Sequence, residues 1–296
     1  MNIQWYPGHM LDTKNQLKQS ISKVDAILEI LDARLPVASA NPFVNNLGKD
    51  KARLKVLNKT DLADPAVTQA WLDYFSQDLK IPAAAISGTV PGEAGKALQA
   101  CVSQVQRNRA RKIKVMVVGI PNTGKSTILN SLAGKKVAKT GNVPAVTRHQ
   151  QRTSLANNID IYDTPGILWP VIEPRERALA LAVSGAISDT AVDYHELAFY
   201  AATLMIARYP EFLLARYDFL EEAALSRSQP DTSRLDASQF IDTVGRARGC
   251  LKKGGIIDYQ KASELIIRDL RSGRIGRISY ETPEDIEPAN ETEAHT

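Results

Sequence analysis

The sequence predicts an α/β domain built on a mostly parallel, six-stranded sheet, followed by an all-α domain. Two observations carry this expectation. Short runs rich in Val, Ile and Leu recur as far as Tyr162 with helix-like stretches between them, as strands covered by helices on both faces should. Beyond about Pro174 such runs stop, and only helical periodicity remains.

The strand candidates, in order, are Val24–Leu31, Leu54–Leu57, Ala83–Ile86, Ile113–Val118 and Ile159–Tyr162, with a weaker sixth at Arg152–Leu155. Pro65–Leu79 and Ala94–Arg107 read as crossover helices, and Ser126–Leu132 as a helix opening directly after a Gly-containing turn. Further on, Ala178–Val183, Tyr194–Tyr209, Ser238–Arg246 and Asp258–Arg271 read as helices. In the last of these Ala262, Leu265, Ile266 and Leu270 make an apolar stripe at helical spacing. The chain thus divides into an α/β domain over 1–173, a helical domain over 174–278 and a tail over 279–296. From Glu281 on, the tail's acids, two prolines and near-absence of large apolar residues predict disorder.

An apolar content of 44% suffices for a sizeable core, and no apolar run is long enough to span a bilayer. Met1–Trp5 has neither a signal-peptide nor a transit-peptide layout, and Cys101 and Cys250 lack CxxC spacing. These features suit a reducing compartment and predict a cytoplasmic protein with no membrane association, disulfide framework or zinc site; a monomer is expected, although no feature of the sequence fixes the oligomeric state. The formal charge of +4 is unevenly spread: Gly245–Arg277 holds nine Lys or Arg against three acids, and Ile278–Thr296 holds six acids and no Lys or Arg. A basic segment of that kind points to an anionic partner.

Gly119-Ile120-Pro121-Asn122-Thr123-Gly124-Lys125-Ser126 fits the phosphate-binding pattern G-x-x-x-x-G-K-[ST] between a strand and a helix. Composition alone would produce such a match in roughly 1% of chains this long, so a coincidental turn is set aside. The glycines turn backbone N–H groups toward phosphates at a helix N-terminus. Asn122, Thr123, Gly124, Lys125, Ser126 and Thr127 are the expected phosphate contacts, with Lys125 neutralising charge and the Ser126 hydroxyl on Mg²⁺. Asp163-Thr164-Pro165-Gly166 supplies a D-x-x-G at a strand end, with Asp163 toward the metal and Gly166 toward the terminal phosphate. Thr147, between these motifs, is the expected switch threonine and third metal contact, unless it is simply a surface residue.

Asn58-Lys59-Thr60-Asp61 ends another strand candidate and matches N-K-x-D, the pattern that selects guanine. The Asp61 carboxylate accepts from two donors that adenine lacks, so ATP would leave a desolvated carboxylate unpaired. Ser87 and Gly88 form either a second base loop or a simple turn. N-K-x-D ordinarily follows D-x-x-G; here it lies upstream of the phosphate loop, and no such pattern follows Asp163. Either the match is spurious or the chain is circularly permuted. Permutation accounts for every strand candidate and is physically simple, since domain termini tend to lie together at the surface. The expected fold is therefore a circularly permuted P-loop GTPase domain with an all-α C-terminal domain.

This motif order, with Trp5-Tyr6-Pro7-Gly8-His9-Met10, Arg248-Gly249-Cys250-Leu251 and Leu270-Arg271-Ser272-Gly273-Arg274-Ile275-Gly276-Arg277, resembles the ribosome biogenesis GTPase A family over nearly the whole chain. The resemblance implies a bacterial factor acting late in large-subunit assembly. It further implies GTP hydrolysis stimulated by the large ribosomal subunit, and rRNA contacts through the C-terminal domain.

Ile167 stands where Ras-like enzymes place a water-orienting Gln, so unaided turnover should be slow. Asn122 either resembles the asparagine that lets related GTPases use K⁺ or bonds its own loop. His9 either aligns the attacking water or merely packs its loop. Arg34 and Arg148 are further cations with no position fixed by sequence. Movement at Gly166 could pass into the helical domain, which begins about ten residues on. On the last helix Lys261, Arg268 and Arg271 share a face opposite the apolar stripe, with Arg274 and Arg277 beyond it. That face is either an RNA surface or a solvated one.

Overall fold

The structure is a computed structural model describing residues 18–42, 44, 48, 50–106, 111–135, 151–155, 157–164, 172–187, 192–221 and 235–286. His9, Thr147, Arg148, Gly166 and Ile167 lie outside the described residues.

Six strands form one sheet: β1 (Ala26–Asp32), β2 (Ala52–Asn58), β3 (Ala83–Ala85), β4 (Ile113–Val118), β5 (Gln151–Leu155) and β6 (Ile159–Asp163). Their order is β3-β2-β1-β4-β6-β5, parallel throughout except for β5 at the edge. All seven residues of β1 are buried, as a central parallel strand requires. Its alternate side chains serve opposite faces. Leu28 and Ile30 pack with α2 (Glu93–Val102) and α3 (Lys125–Ala133). Leu31 packs with Trp71 of α1 (Pro65–Asp73) and with Phe75 in the π-turn that continues it. Glu29 breaks the apolar run, and its register partner on β2 is Lys55, with Nζ 2.8 Å from Oε2 and both side chains buried.

The helical domain comprises α4 (Arg175–Val183), α5 (Tyr194–Arg208), α6 (Pro210–Arg216), α7 (Ala237–Ala247) and α8 (Tyr259–Arg271). Asp236 caps α7 through a reciprocal capping box with Gln239. The core of this domain is not confined to it: Leu35, Ala38 and Ile120 from the α/β domain belong to the same apolar cluster.

The tail expectation needs correction over its first eight residues. Ser279 and Tyr280 are buried, and Tyr280 N donates to Arg34 O at 2.7 Å. Glu281 accepts from the Val37 and Ala38 N–H groups at 2.9 and 2.8 Å, while Trp71 Nε1 donates to the Glu281 carbonyl. Asp285 pairs with Arg208. Glu281 thus caps backbone donors of a distant segment, and Asp285, though exposed, pairs with a cation of another helix. Residues 287–296 lie outside the described residues.

The last helix also departs from expectation. Leu265 is only half-buried, whereas Asp269 is buried and paired with Arg216 and Arg274. Arg271 donates to the Ala182 and Val183 carbonyls, and Arg277 to those of Ala63 and Thr60. Of the expected RNA face, Arg271 is therefore engaged inside the helical domain, on the end of α4, and Arg277 joins that domain to the α/β domain.

Candidate nucleotide site

Between β1 and β4 the crossovers depart in opposite directions, which opens a crevice at the carboxyl ends of the strands. The parallel strands deliver four motifs to that edge. β4 leads into Gly119–Ser126, β2 into Asn58–Asp61, β3 into Ser87–Gly88, and β6 ends at Asp163. Sequence separation thus becomes spatial adjacency, with the chain order permuted.

Asn58 ties the loops together. Its Nδ2 donates to Thr123 O at 2.7 Å, and its Oδ1 accepts from the Gly88 N–H at 2.8 Å, with the side chain buried. Gly124 makes room for this, since a Cβ there would stand 2.2 Å from Asn58 Nδ2, while Gly119 lets the loop pass β1, where a Cβ would stand 2.4 Å from Ile30 O. Gly124 also has φ 93°, in the left-handed region, directly before α3. The phosphate loop and both base loops are one bonded unit.

Asp61 is exposed at the mouth of the crevice, and Ser87 Oγ donates to its Oδ1 at 2.7 Å. The Ser87 N–H in turn donates to Glu93 Oε2 at 2.6 Å. Ser87 and Gly88 are therefore brought to the N-K-x-D loop and do not form a detached turn. Lys59 points inward, its Nζ 2.8 Å from Asp32 Oδ2. Burial pushes the Asp32 carboxyl upward, but the Arg34 and Lys59 charges outweigh it and hold the group well below the usual carboxylate range.

On the phosphate side Lys125 Nζ donates to the Gly119 and Ile120 carbonyls at 2.9 and 2.7 Å. Burial pulls its ammonium down to about 8, against the opposing pull of Asp163. Burial pushes the Asp163 carboxyl up to about 6, although Lys125 and the Thr164 N–H favour its charged form. Asp163 Oδ1 is buried and has no hydrogen-bond partner among the described residues. Ser126 and Thr127 are half-buried in the first turn of α3. A desolvated carboxylate oxygen lacking a donor beside a lysine and a phosphate loop suits a hydrated cation bridging to phosphate oxygens.

A family model described as 50S ribosome-binding GTPase matches residues 114–199. Ribosome biogenesis GTPase A of Priestia megaterium is 40% identical, with 97% of this chain and 99% of the relative aligned. This chain belongs to the ribosome biogenesis GTPase A family. The namesake from Thermotoga maritima is 33% identical, with 98% of each chain aligned. Two solved structures share the fold. The GDP-bound structure of TM YlqF has TM-score 0.65 at 29% identity, covering 91% of this chain and 100% of that one. GNP-bound YlqF from T. maritima has TM-score 0.62 at 29% identity, covering 93% and 100%. The protein is a GTP-hydrolysing enzyme.

Four polar side chains of this GTPase have partners that its sequence does not show. Asn122, at φ 60°, donates through Nδ2 to the Gly185 carbonyl beyond α4 at 2.6 Å, a partner outside its own loop. Arg34 is buried between Asp32, Tyr280 and the Ser184 carbonyl, so it is committed to the domain junction and not to phosphate. Of the basic residues before β4, Arg111 pairs with Asp25 and Lys112 with Asp160, on the opposite edge of the sheet. Asp32 and Glu93 of the site belong to none of the sequence motifs. Leu31-Asp32-Ala33-Arg34, an acid and a base at a strand end, was the local sign of the first, and Glu93 carried none.

Proposed function

We propose that this GTPase acts in the cytoplasm, as a monomer, on the large ribosomal subunit during its assembly. Its helical domain contacts rRNA, and its turnover is low until the subunit is engaged. One observation carries the reading: the helical domain is built onto the nucleotide site itself. Ile120 of the phosphate loop lies in its core, and Asn122 is bonded to Gly185. Whatever the helical domain binds therefore bears directly on the loop that holds phosphate.

In this reading Asp61, oriented by Ser87, accepts from the guanine edge, with Asn58, Lys59 and Gly88 shaping that side. Asn122, Thr123, Gly124, Lys125 and Thr127 surround the phosphates. Bound Mg²⁺ would offset charge developing on the β- and γ-phosphates. Ser126 and Asp163 are the described residues that would hold it, with Thr147 as third contact. Phosphate taking the place of its carbonyl partners would favour the ammonium form of Lys125. Gly166 reports the γ-phosphate, and His9 aligns the attacking water. Asn122 lets K⁺ assist.

With Ile167 in place of a Gln, the unaided rate should be on the order of 10⁻⁴ s⁻¹. An activator adding about 10⁵-fold would lower the barrier by about 7 kcal/mol. The test is GTP turnover in K⁺ or Na⁺, with purified large subunits added or withheld. Stimulation by subunits, greater in K⁺, is expected. Equal turnover with and without subunits sinks the proposal, and equal turnover in the two salts removes K⁺ from it.

A further inference from the structure

Among the described residues six large apolar side chains are exposed, and three of them, Leu251, Ile256 and Tyr259, lie on or beside one hairpin between α7 and α8. Ile256 is the most exposed of the six, at 66%. The hairpin is well formed. Leu251 bridges Ile257, Lys252 N donates to Ile256 O at 2.7 Å, and Asp258 N donates to Cys250 O at 2.8 Å. Its base is fixed by the buried Cys250, Ile257 and Asp258, the last of which also caps α8.

At the tip Gly254 and Gly255 have φ 88° and 78°, and nothing lies within 4 Å of where a Cβ would stand. The glycines therefore serve the sharp backbone turn and not a close neighbour. That turn holds Lys252, Lys253 and Ile256 away from the domain. From Arg246 to Ile257 there are four cations and no acid. All four are exposed, and no ion pair engages Lys252 or Lys253 among the described residues. The apolar side continues past the hairpin. The Tyr259 ring meets that of His195 edge-on at 5.3 Å, and the exposed Phe199 lies one turn along α5 from His195.

A merely solvated turn has no need to present an isoleucine and a tyrosine beside paired lysines. Duplex RNA would satisfy the lysines but offers no base faces, because its bases are stacked inside. Unpaired RNA offers phosphates and exposed base faces side by side, which matches cations alternating with apolar and aromatic surface. We propose that the Cys250–Asp258 hairpin docks the helical domain on an unpaired RNA segment. Lys252 and Lys253 take phosphates, and Ile256 and Tyr259 pack on splayed bases. This rests on the rRNA reading above and narrows it to one element and one kind of RNA structure.

The experiment is co-sedimentation of the full chain, loaded with a GTP analogue, with purified large ribosomal subunits over a salt series, followed by ultraviolet crosslink mapping. Lys252→Glu with Lys253→Glu should weaken association at least about tenfold. It should also flatten the logarithmic salt dependence by about 1.4, from two phosphates at about 0.7 each. Ile256→Ser should weaken binding without changing that slope, and Lys261→Glu with Arg268→Glu should cost less than the hairpin pair. GTP affinity of the hairpin variants should equal that of the parent protein, which establishes that they fold. If the parent sediments and the hairpin variants follow it unchanged, the hairpin assignment fails while the rRNA reading stands. Crosslinks from the hairpin to duplex RNA or to a ribosomal protein overturn it equally. If the parent itself does not sediment with subunits, the rRNA reading fails and takes the hairpin with it.

Discussion

Replacing Asn58 with Ala removes the two bonds that join the phosphate loop to the base loops. The Thr123 carbonyl and the Gly88 N–H would lose partners now at 2.7 and 2.8 Å beside a side chain that is 2% exposed. Each stranded group costs about 1–3 kcal/mol. Water admitted to the space left by the amide returns part of that, so about 2–4 kcal/mol in total is reasonable. In the ligand-free protein the loops can relax to hydrate the stranded groups, and nucleotide must then force them back. The cost should therefore fall mainly on binding, as a loss of at least about 30-fold in affinity. Asn58→Asp keeps the acceptor for Gly88 but sets a carboxylate against the Thr123 carbonyl, and should bind no better than Asn58→Ala. Calorimetric titration with GDP and with a GTP analogue in Mg²⁺ measures both. If Asn58→Ala bound GDP within threefold of the parent protein while its melting temperature fell, Asn58 would be a packing residue and not the organiser of the site.

Three further outcomes are expected. Removing one member of the buried Glu29–Lys55 pair, as in Lys55→Met, should cost about 3–5 kcal/mol, whereas Glu29→Leu combined with Lys55→Met should recover most of it. Urea denaturation of the two singles and the double decides this, and additive losses would show the pair is not coupled. Burial pushes the Glu281 carboxyl up to about 7, against the Val37 and Ala38 N–H groups and Arg177, with Asp285 adding to the rise. Folded Glu281 thus holds its proton where the unfolded chain has released it, so stability should fall as pH rises from about 4.5 to about 7. Because the side chain is only partly buried, a change of about 1–2 kcal/mol is expected in urea midpoints, and a slope unaltered by Glu281→Gln would refute the assignment. Arg271→Ala should free the Ala182 and Val183 carbonyls and cost about 2 kcal/mol, with faster amide exchange at residues 184–187. Exchange unchanged there would mean that Arg271 does not hold the end of α4.

The elements were legible to the extent that their signal is local. The β4 run Ile113–Val118 matches the observed strand at both ends, and the other strands match within two residues, because buried parallel strands advertise themselves as apolar runs. Helix α6 has no sequence signal of its own because Tyr209-Pro210 reads as a helix end, whereas Pro210 sits at the start of the next helix, where a missing N–H costs nothing. The phosphate and base loops were legible because each is a contiguous motif at a strand end. Their bonding was not, since Asn58 finds its acceptor 65 residues away. Charge misled for the same reason. Glu281, Arg271 and Arg277 read as residues of a tail or a surface, yet each has a partner fixed by the tertiary fold. The lysines of the hairpin were counted within a basic segment, but their geometry depends on two left-handed glycines that charge counting ignores.

The end of α4 is where these separate strands of chemistry meet. A helix leaves its last carbonyls without intrahelical donors, and here those of Ala182, Val183 and Ser184, with that of Gly185 just beyond the helix, each accept from a side chain elsewhere in the chain. Arg271 brings α8, the helix that the hairpin leads into. Arg34 brings the base side, because it shares Asp32 with Lys59 of the guanine motif. Asn122 brings the phosphate side directly. Coupling between sites requires a contact whose strength differs between ligand states. The Asn122–Gly185 bond is placed to be that contact, since the same amide stands in the loop that must wrap the phosphates. If bound nucleotide recruits Asn122, Gly185 is released, and any partner of the helical domain that shifts α8 would pull on the same helix end through Arg271. By linkage, each must then change the other's affinity by the same factor.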